Sequence, residues 1–215
     1  MHPSLSRPGL YAITDGPRAD LLAAAEAALR GGAVLLQYRD KTADGDRRLR
    51  EARALRELCA RHAAALIVND DVDLAAAVAA AGVHLGEDDA DIADARLRLG
   101  AGALIGVSCY DSIERARQMA AAGADYLAFG AFFPSPTKPS ARRAVPTLLR
   151  EAKVFGLPLV AIGGITPDNA QPLVEAGADY LAVISGVFGA ADPYAAAQKY
   201  KKFFLPADGE AERRP

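Results

Sequence analysis

The chain has 215 residues, of which 51% are hydrophobic and 24% are charged, a composition typical of a compact globular protein and not of a disordered one. Its formal net charge of −2 at pH 7 excludes the strongly basic surface of a general nucleic-acid binder, so any anion site must be local. No apolar run approaches the roughly 20 residues of a membrane-spanning helix, and no secretory signal pattern opens the chain. We expect a cytoplasmic protein without nucleic-acid or membrane partners.

Short apolar segments alternate with Ala-rich or patterned segments along the chain, and we predict strands in the former and helices in the latter. The predicted strands are Leu10–Asp15, Val34–Arg39, Ala65–Asn69, Val83–Gly86, Leu104–Cys109, Tyr126–Phe132, Leu159–Gly163 and Tyr180–Ser185. The predicted helices lie near Asp20–Arg30, Asp44–Ala64, Asp73–Ala80, Asp91–Leu99, Ser112–Ala121, Val145–Phe155, Asp168–Glu175 and Pro193–Phe203.

No linker rich in Pro, Ser or Gly interrupts this alternation, so we expect one domain over residues 1–215 with a core at 10–204 and flexible, solvated tails. Eight βα units predict an α/β fold, the (β/α)₈ TIM barrel. The barrel would be a minimal one, because the chain is somewhat shorter than the ~250 residues of a typical TIM barrel. The alternative is a doubly wound open sheet. That fold usually has a Gly-rich fingerprint after its first strand, whereas Gly16-Pro17-Arg18 stands here.

Polar residues interrupt the apolar strands near their carboxyl ends, which share one rim of a barrel. Gln37, Arg39 and Lys41 alternate at the end of the second strand, so their side chains point in a common direction and can converge on one anion. Two surface cations at a solvated strand end are the alternative interpretation.

Acidic residues follow the next two strands. The run Asn69-Asp70-Asp71 ends the third strand, and Glu87-Asp88-Asp89 lies just beyond the fourth. Because neighbouring loops bring these carboxylates to the same rim, a cation between them is expected, and Mg²⁺ commonly takes one or two carboxylates together with phosphate oxygens and waters. Helix capping is the alternative role for such residues.

Two later segments carry groups that suit a phosphate. The run Phe132 to Lys138 holds two hydroxyls and an ammonium between prolines that limit the entropy lost on ligand binding. The seventh and eighth strands end in small residues, around Gly164 and Ser185, where barrels often bind phosphate with backbone N–H groups. A surface proline turn and close packing of glycines are the respective alternatives.

Neither metal-ligating clusters of His and Cys nor a nucleophilic triad is indicated. His84 lies inside an apolar strand without a Cys or His at ligand spacing, which favours a hydrogen-bonded core or rim histidine. Cys59 and Cys109 lack metal-type spacing, and Cys59 falls in a predicted helix as a small apolar residue.

Five motifs, taken in order, resemble the thiamine phosphate synthase family over Leu10 to Phe203. They are Leu10-Tyr-Ala-Ile-Thr-Asp15, Gln37-Tyr-Arg-Asp-Lys41, Asn69-Asp70 with His84-Leu-Gly-Glu-Asp-Asp89, Gly106-Val-Ser108, and Phe129-Gly-Ala-Phe-Phe-Pro-Ser-Pro-Thr-Lys138 followed by the two glycine-bearing strands. The resemblance implies a transferase that joins an aminopyrimidine diphosphate to a thiazole phosphate, or its carboxylate, and releases pyrophosphate with the help of Mg²⁺.

The resemblance also implies a role for each matched position. The first motif would be mainly structural, and Asp70 and Asp89 would hold Mg²⁺. The aminopyrimidine diphosphate would bind Gln37, Arg39, Lys41 and Asn69, with Ser108 and Lys138 at the diphosphate. The thiazole phosphate would bind Ser135, Thr137, Gly164, Ile184 and Ser185. Arg39, Lys41, Ser108 and Lys138 would be the catalytic residues, because they would contact the leaving group.

The sequence departs from the family at Tyr38, Asp40 and Ser135, where Leu, Glu and Thr are usual. Tyr38 and Asp40 alternate away from the predicted site, so we expect them to affect its shape and not its chemistry. The partners would be small molecules, and a homo-oligomer is left open.

The rival hypotheses are a thiazole tautomerase on a similar barrel, a phosphosugar isomerase or aldolase, and a non-catalytic sensor of a phosphorylated metabolite. The combination of a predicted metal site and leaving-group cations argues against them.

Overall fold

The computed structural model describes residues 2–134 and 142–205. Eight parallel strands close into a barrel in chain order. They are β1 (Gly9–Ile13), β2 (Ala33–Tyr38), β3 (Ala65–Asn69), β4 (Gly82–Leu85), β5 (Leu104–Tyr110), β6 (Tyr126–Phe129), β7 (Leu159–Ile162) and β8 (Tyr180–Val183). β1 pairs with β8, with Leu10 opposite Leu181, so the sheet has no open edge. The predicted (β/α)₈ barrel is confirmed, and the doubly wound open sheet is excluded.

Helices follow the strands around the outside of the barrel. They are α1 (Leu21–Arg30), α2 (Gly45–Arg61), α3 (Val72–Ala77), α4 (Ile92–Leu99), α5 (Ile113–Ala121), α6 (Pro146–Ala152), α7 (Gln171–Glu175), α8 (Ser185–Phe188) and α9 (Pro193–Lys201). Short 3₁₀ helices occupy Pro3–Leu5, Lys153–Phe155 and Lys202–Phe204. Within the described ranges, no helix combines the length and the apolar character needed to cross a membrane.

Several helix bounds differ from the sequence prediction by up to three residues, as where α3 ends at Ala77 and not at Ala80, and two differences have a clear physical reason. α7 begins at Gln171 and not at Asp168, because Asn169 holds the preceding turn: its Oδ1 accepts from the Thr166 N–H at 2.8 Å, and its Nδ2 donates to the Gly164 carbonyl at 3.1 Å. α8 is a single turn directly after β8 that the sequence prediction omitted, since four residues are too few to show a helical period.

Alternate residues of the strands pack on opposite sides of the sheet, as a closed barrel requires. Leu10, Leu36, Val68 and Val83 are buried against the helices. A second cluster fills the interior of the barrel with residues that include Tyr11, Leu35, Ile67, Tyr126 and Tyr180. The interior is therefore a packed core that leaves space for a ligand only where polar residues replace the apolar ones.

The segment before β1 differs from the solvated tail expected there. Leu5 is 3% exposed and packs with the interior cluster, and the Tyr180 hydroxyl donates to its carbonyl oxygen at 2.8 Å. Burial of this apolar side chain at the N-terminal end of the barrel, together with the hydrogen bond from Tyr180, anchors the segment. The tail expected at 207–215 lies outside the described residues.

Candidate active site

A cavity of about 320 Å³ opens at the carboxyl ends of the strands, where barrels carry their sites. Its walls include apolar side chains from β1, β6, β7 and β8. Its polar lining comes from Gln37, Arg39, Asn69, His84, Ser108 and Arg142, together with the hydroxyls of Tyr11 and Tyr110. The structure thus brings five of the predicted substrate-binding residues to one space: Gln37, Arg39, Asn69, Ser108 and Ile184.

A chain of hydrogen bonds crosses the bottom of this cavity, and we call it the floor chain. The Gln37 side-chain amide donates to the Tyr11 hydroxyl at 2.8 Å, and that hydroxyl lies 2.9 Å from the hydroxyl of Tyr126. His84 continues the chain, with Nδ1 3.0 Å from the Tyr126 hydroxyl and Nε2 2.9 Å from Ser108 Oγ. The His84 and Tyr126 rings are stacked. Five side chains from five strands therefore fix one another's orientation.

Burial raises the pKa of Tyr11 and of Tyr126 above the ordinary tyrosine value, so both keep their protons. A floor with hydroxyl and imidazole groups, below apolar walls, suits a flat heteroaromatic ring that needs both hydrogen bonds and apolar contact.

Sequence reasoning missed part of this floor. It treated the first-strand motif as structural and His84 as a core or rim residue, whereas Tyr11, His84 and Tyr126 all belong to the floor chain. His84 is hydrogen-bonded, as expected. The misses have a physical reason: strands buried on both faces show no polar alternation that would mark one tyrosine as facing a ligand.

Of the three alternating residues on β2 and beyond, Gln37 and Arg39 line the cavity and Lys41 lies beside it. The backbone of Arg39 is held by the fully buried Thr14, whose Oγ1 accepts from the Arg39 N–H at 2.8 Å and donates to its carbonyl at 3.1 Å. The Lys41 side chain is 58% exposed, and its Nζ lies 3.1 Å from Asp70 Oδ2. Arg39 therefore faces the cavity, and Lys41 is paired with the residue that follows β3.

The predicted carboxylate pair is brought together. Asp89 lies close enough to Asp70 for the two carboxyl groups to influence each other, and the Gly86 N–H donates to Asp89 Oδ2 at 2.6 Å. Burial, with a further contribution from the Asp70 carboxylate, raises the pKa of Asp89. Asp70 has φ +62°, a backbone conformation that non-glycine residues rarely adopt and that clusters at functional sites. Asp71 points elsewhere and caps α3.

Across residues 2–134 and 142–205, no group of three or more His, Cys, Asp or Glu side chains is placed to hold a metal ion. A cation at this rim would have two carboxylates and would complete its coordination with ligand oxygens and waters. This donor set fits Mg²⁺ and does not fit a structural zinc site, which is normally closed by four protein ligands.

A smaller cavity of about 40 Å³ adjoins the first and is lined by residues 162–165 and 182–186. It contains Gly164, Ile184 and Ser185, the predicted phosphate-binding positions of β7 and β8. Gly164 has φ +62°, and a Cβ there would lie 2.3 Å from the Pro134 carbonyl oxygen. Only glycine fits this approach of two loops, which leaves backbone groups and no side chain facing the cavity.

The predicted residues Ser135, Thr137 and Lys138 lie outside the described residues. Arg142, which sequence reasoning did not single out, lines the large cavity. Its guanidinium lies 5.0 Å from the centroid of the Tyr110 ring and 2.9 Å from Glu87 Oε2. In the sequence it stands in an Arg-Arg pair outside any predicted strand end, so nothing distinguished it from a surface cation.

Comparison with known proteins bears on this arrangement. A family model described as thiamine monophosphate synthase matches residues 10–187. The thiamine-phosphate synthase of Xanthomonas campestris pv. campestris (strain 8004) is 58% identical over 198 residues, which cover 91% of this chain and 95% of the relative. The protein of the same name from Azoarcus sp. (strain BH72) is 59% identical over 199 residues, covering 91% and 97%.

Among solved structures, the thiamine phosphate pyrophosphorylase of Pyrococcus furiosus superposes with a TM-score of 0.84 at 36% identity, covering 93% of this chain and 96% of that one. The likeness thus extends through the barrel and the strand ends that carry the candidate site. From the match to the family model and the identity to its curated members, the chain belongs to the thiamine monophosphate synthase family.

Proposed function

We propose that the chain is a thiamine phosphate synthase. It joins 4-amino-2-methyl-5-hydroxymethylpyrimidine diphosphate to thiazole phosphate, or to the thiazole carboxylate phosphate, and yields thiamine phosphate and pyrophosphate, with CO₂ as a further product from the carboxylate. Family membership supports this reaction. The single observation that carries it is one cavity whose polar floor adjoins a rim where Arg39, Lys41, Asp70 and Asp89 meet.

The aminopyrimidine ring lies on the floor chain. The ring needs donors and acceptors for its amino group and ring nitrogens, and Gln37, Asn69 and the tyrosine hydroxyls offer both. Burial supports this placement, because Tyr11, Gln37 and Tyr126 are buried whereas the Lys41 side chain is exposed, so the diphosphate extends from the floor to the charged rim.

The diphosphate is bound by Arg39 and Lys41, with Ser108 and Lys138 as further contacts. A guanidinium and an ammonium on one edge neutralise neighbouring phosphate oxygens. Asp70 and Asp89 would hold Mg²⁺, which when bound neutralises negative charge on the diphosphate and stabilises the departing pyrophosphate. Lys41 beside Asp70 keeps a positive charge next to the two carboxylates, so the rim is balanced for a polyanion.

The thiazole phosphate is anchored in the smaller cavity by the backbone around Gly164, Ile184 and Ser185, with Ser135 and Thr137 as hydroxyl ligands. The two cavities share Ile162, Gly163, Ala182 and Ile184. A ligand anchored by its phosphate in the smaller one therefore presents its ring to the larger one.

In the reaction, the thiazole nitrogen displaces pyrophosphate from the methylene carbon of the pyrimidine. The carbon–oxygen bond breaks as negative charge gathers on the bridging oxygen, and Arg39, Lys41 and Lys138 stabilise that charge in the transition state. The electron-rich aminopyrimidine supports positive charge on the methylene carbon. No strong general base is required, because the nucleophile is a neutral ring nitrogen. Holding both substrates in adjoining cavities converts an encounter of dilute reactants into a local step.

The test is pyrophosphate release by the purified protein with Mg²⁺ and both substrates, with each substrate omitted in turn. Release that requires both substrates is the expected result. A folded protein that binds thiazole phosphate but releases no pyrophosphate would contradict the proposal and favour a tautomerase or a metabolite sensor.

A further inference from the structure

A closed set of ionic and hydrogen bonds lies behind the diphosphate edge, on the side of β2 that faces α2. We call Tyr38, Asp40, Arg47 and Glu51 the brace cluster. Arg47 Nη2 lies 2.8 Å from Asp40 Oδ2, and Arg47 Nη1 lies 3.3 Å from Glu51 Oε1. The Tyr38 hydroxyl donates to Glu51 Oε2 at 2.6 Å. One guanidinium on the helix thus joins the strand end to the helix body.

Asp40 is the centre of this cluster, and its side chain is fully buried. Burial opposes its ionisation, but the Thr42 N–H at 2.9 Å and the guanidinium of Arg47 hold the pKa of Asp40 below its ordinary value. The buried carboxylate is therefore charged and tied at both oxygens. A carboxylate held this way has one orientation, and the backbone on either side of it is fixed as well.

The next residue of α2 makes the equivalent contact with β3. Arg48 Nη2 lies 2.8 Å from Asp71 Oδ2, and the other Asp71 oxygen caps α3 by accepting from the Leu74 N–H at 2.8 Å. Asp40 stands between Arg39 and Lys41, and Asp71 directly follows Asp70. Two consecutive arginines therefore hold two residues that each adjoin a proposed ligand-binding group.

Contacts within the helix explain only part of this placement, because Arg47 pairs with the N-cap Asp44 at 3.4 Å and with Glu51 at 3.3 Å. α2 begins at Gly45 after the N-cap Asp44, so Arg47 and Arg48 fall in its first turn and at its edge. Cations are disfavoured there, because the N-terminal end of a helix carries a partial positive charge. The ion pairs with Asp40 and Asp71, which follow β2 and β3, offset this unfavourable position of the two cations.

We propose that Arg47 and Arg48 are positioning residues that set the diphosphate- and metal-binding ends of β2 and β3. The inference rests on the proposed function and adds to it residues of α2 that do not line the cavity. Arg47 acts through Asp40 on its neighbours Arg39 and Lys41, and Thr14 holds the Arg39 backbone from the other side. Arg48 acts through Asp71 on Asp70. The brace cluster is then part of how the site recognises pyrophosphate, although it lies outside the contact surface.

The test compares Arg47→Met and Arg48→Met with Arg53→Met, a control on the same helix whose side chain is exposed. Calorimetry measures binding of inorganic pyrophosphate with Mg²⁺, steady-state kinetics give KM for each substrate, and melting reports the fold. For Arg47→Met we expect pyrophosphate binding to weaken about tenfold, with the KM of thiazole phosphate changed less than about twofold. For Arg48→Met we also expect weaker pyrophosphate binding, and Arg53→Met should leave all these values unchanged.

Two further variants separate positioning from general destabilisation. Arg47→Lys keeps the positive charge but cannot contact Asp40 and Glu51 at the same time. It should therefore bind pyrophosphate more tightly than Arg47→Met and less tightly than the wild-type protein. The double variant Arg47→Met with Asp40→Asn should bind pyrophosphate no more weakly than the worse single variant, because both changes break one connection.

Equal losses for both substrates, or losses that follow the melting temperature, would overturn the inference. A wild-type protein that does not bind pyrophosphate would overturn it too. If the wild-type protein binds pyrophosphate but releases none from the two substrates, the proposed function fails, while selective weakening by Arg47→Met still supports the positioning role.

Discussion

Gly164→Ala tests the contact between the phosphate cavity and the loop after β6. Gly164 has φ +62°, and an added Cβ would lie 2.3 Å from the Pro134 carbonyl oxygen and 2.8 Å from the Phe133 carbonyl carbon. The left-handed backbone alone costs an alanine about 1–2 kcal/mol. Relieving the clash requires backbone to move by about 1 Å, which adds about 1–3 kcal/mol of overpacking. The expected total loss of stability is about 2–5 kcal/mol.

The same displacement should affect binding of the thiazole phosphate, because Pro134 leads directly to Ser135 and Thr137. A misplacement of about 1 Å can cost roughly 100-fold in rate, so we expect kcat/KM for thiazole phosphate to fall by about that factor while binding of Mg²⁺-pyrophosphate changes little. Pyrophosphate release at varied thiazole phosphate measures the former, and calorimetry measures the latter.

Gly156→Ala is the matched control. Gly156 has φ +66°, and no heavy atom would lie within 4 Å of its added Cβ. It therefore carries the backbone cost of about 1–2 kcal/mol without the clash, and its kinetics should be those of the wild-type protein. If urea unfolding and kinetics give the two variants equal values, the steric argument for Gly164 is refuted.

Three other predictions follow from the site and its support. Asp70→Ala and Asp89→Ala should each lower Mg²⁺-dependent pyrophosphate release by roughly 100-fold with an unchanged circular dichroism spectrum, and near-normal rates in both would remove the metal assignment. Tyr126→Phe interrupts the floor chain and should lower the free energy of unfolding in urea by about 1–3 kcal/mol; an unchanged value would mean that the chain does not stabilise the fold. Because the pKa of Asp40 is lowered in the folded state, its ionisation stabilises the protein above its ordinary pKa of about 3.9, and that stability is lost as pH falls through the folded value. The difference in unfolding free energy between the wild-type protein and Asp40→Asn should accordingly be constant near neutral pH and shrink in acid, and a difference that grows in acid would contradict the ion pair.

The positions of the strands could be predicted because the strands of a closed parallel barrel are buried on both faces and stand out as apolar runs. β3 has the predicted bounds, Ala65–Asn69. β6 ends at Phe129, three residues before the predicted end, because the chain leaves the sheet at Gly130 while the apolar run continues through Phe133. Hydropathy marks where a strand is buried, and it does not mark where its ladder of hydrogen bonds stops.

The residues of the candidate site likewise include some that the sequence marks and some that it does not. Arg39, Asn69 and Asp70 were visible in the sequence because each interrupts or follows an apolar run. Tyr11 and Tyr126 were not, since an aromatic residue inside a buried strand looks like core whether it faces a helix or a ligand. Arg47 was hidden for another reason: its partner Asp40 lies on a different element, and only the packing of α2 on β2 brings the two together.

The anchoring of Leu5 has a consequence for how molecules enter and leave. Leu5 and Tyr180 pack into the N-terminal end of the barrel and fill it, whereas the cavity opens at the carboxyl ends of the strands. The two ends of the barrel thus have different tasks: one seals the core against water, and the other exchanges ligands.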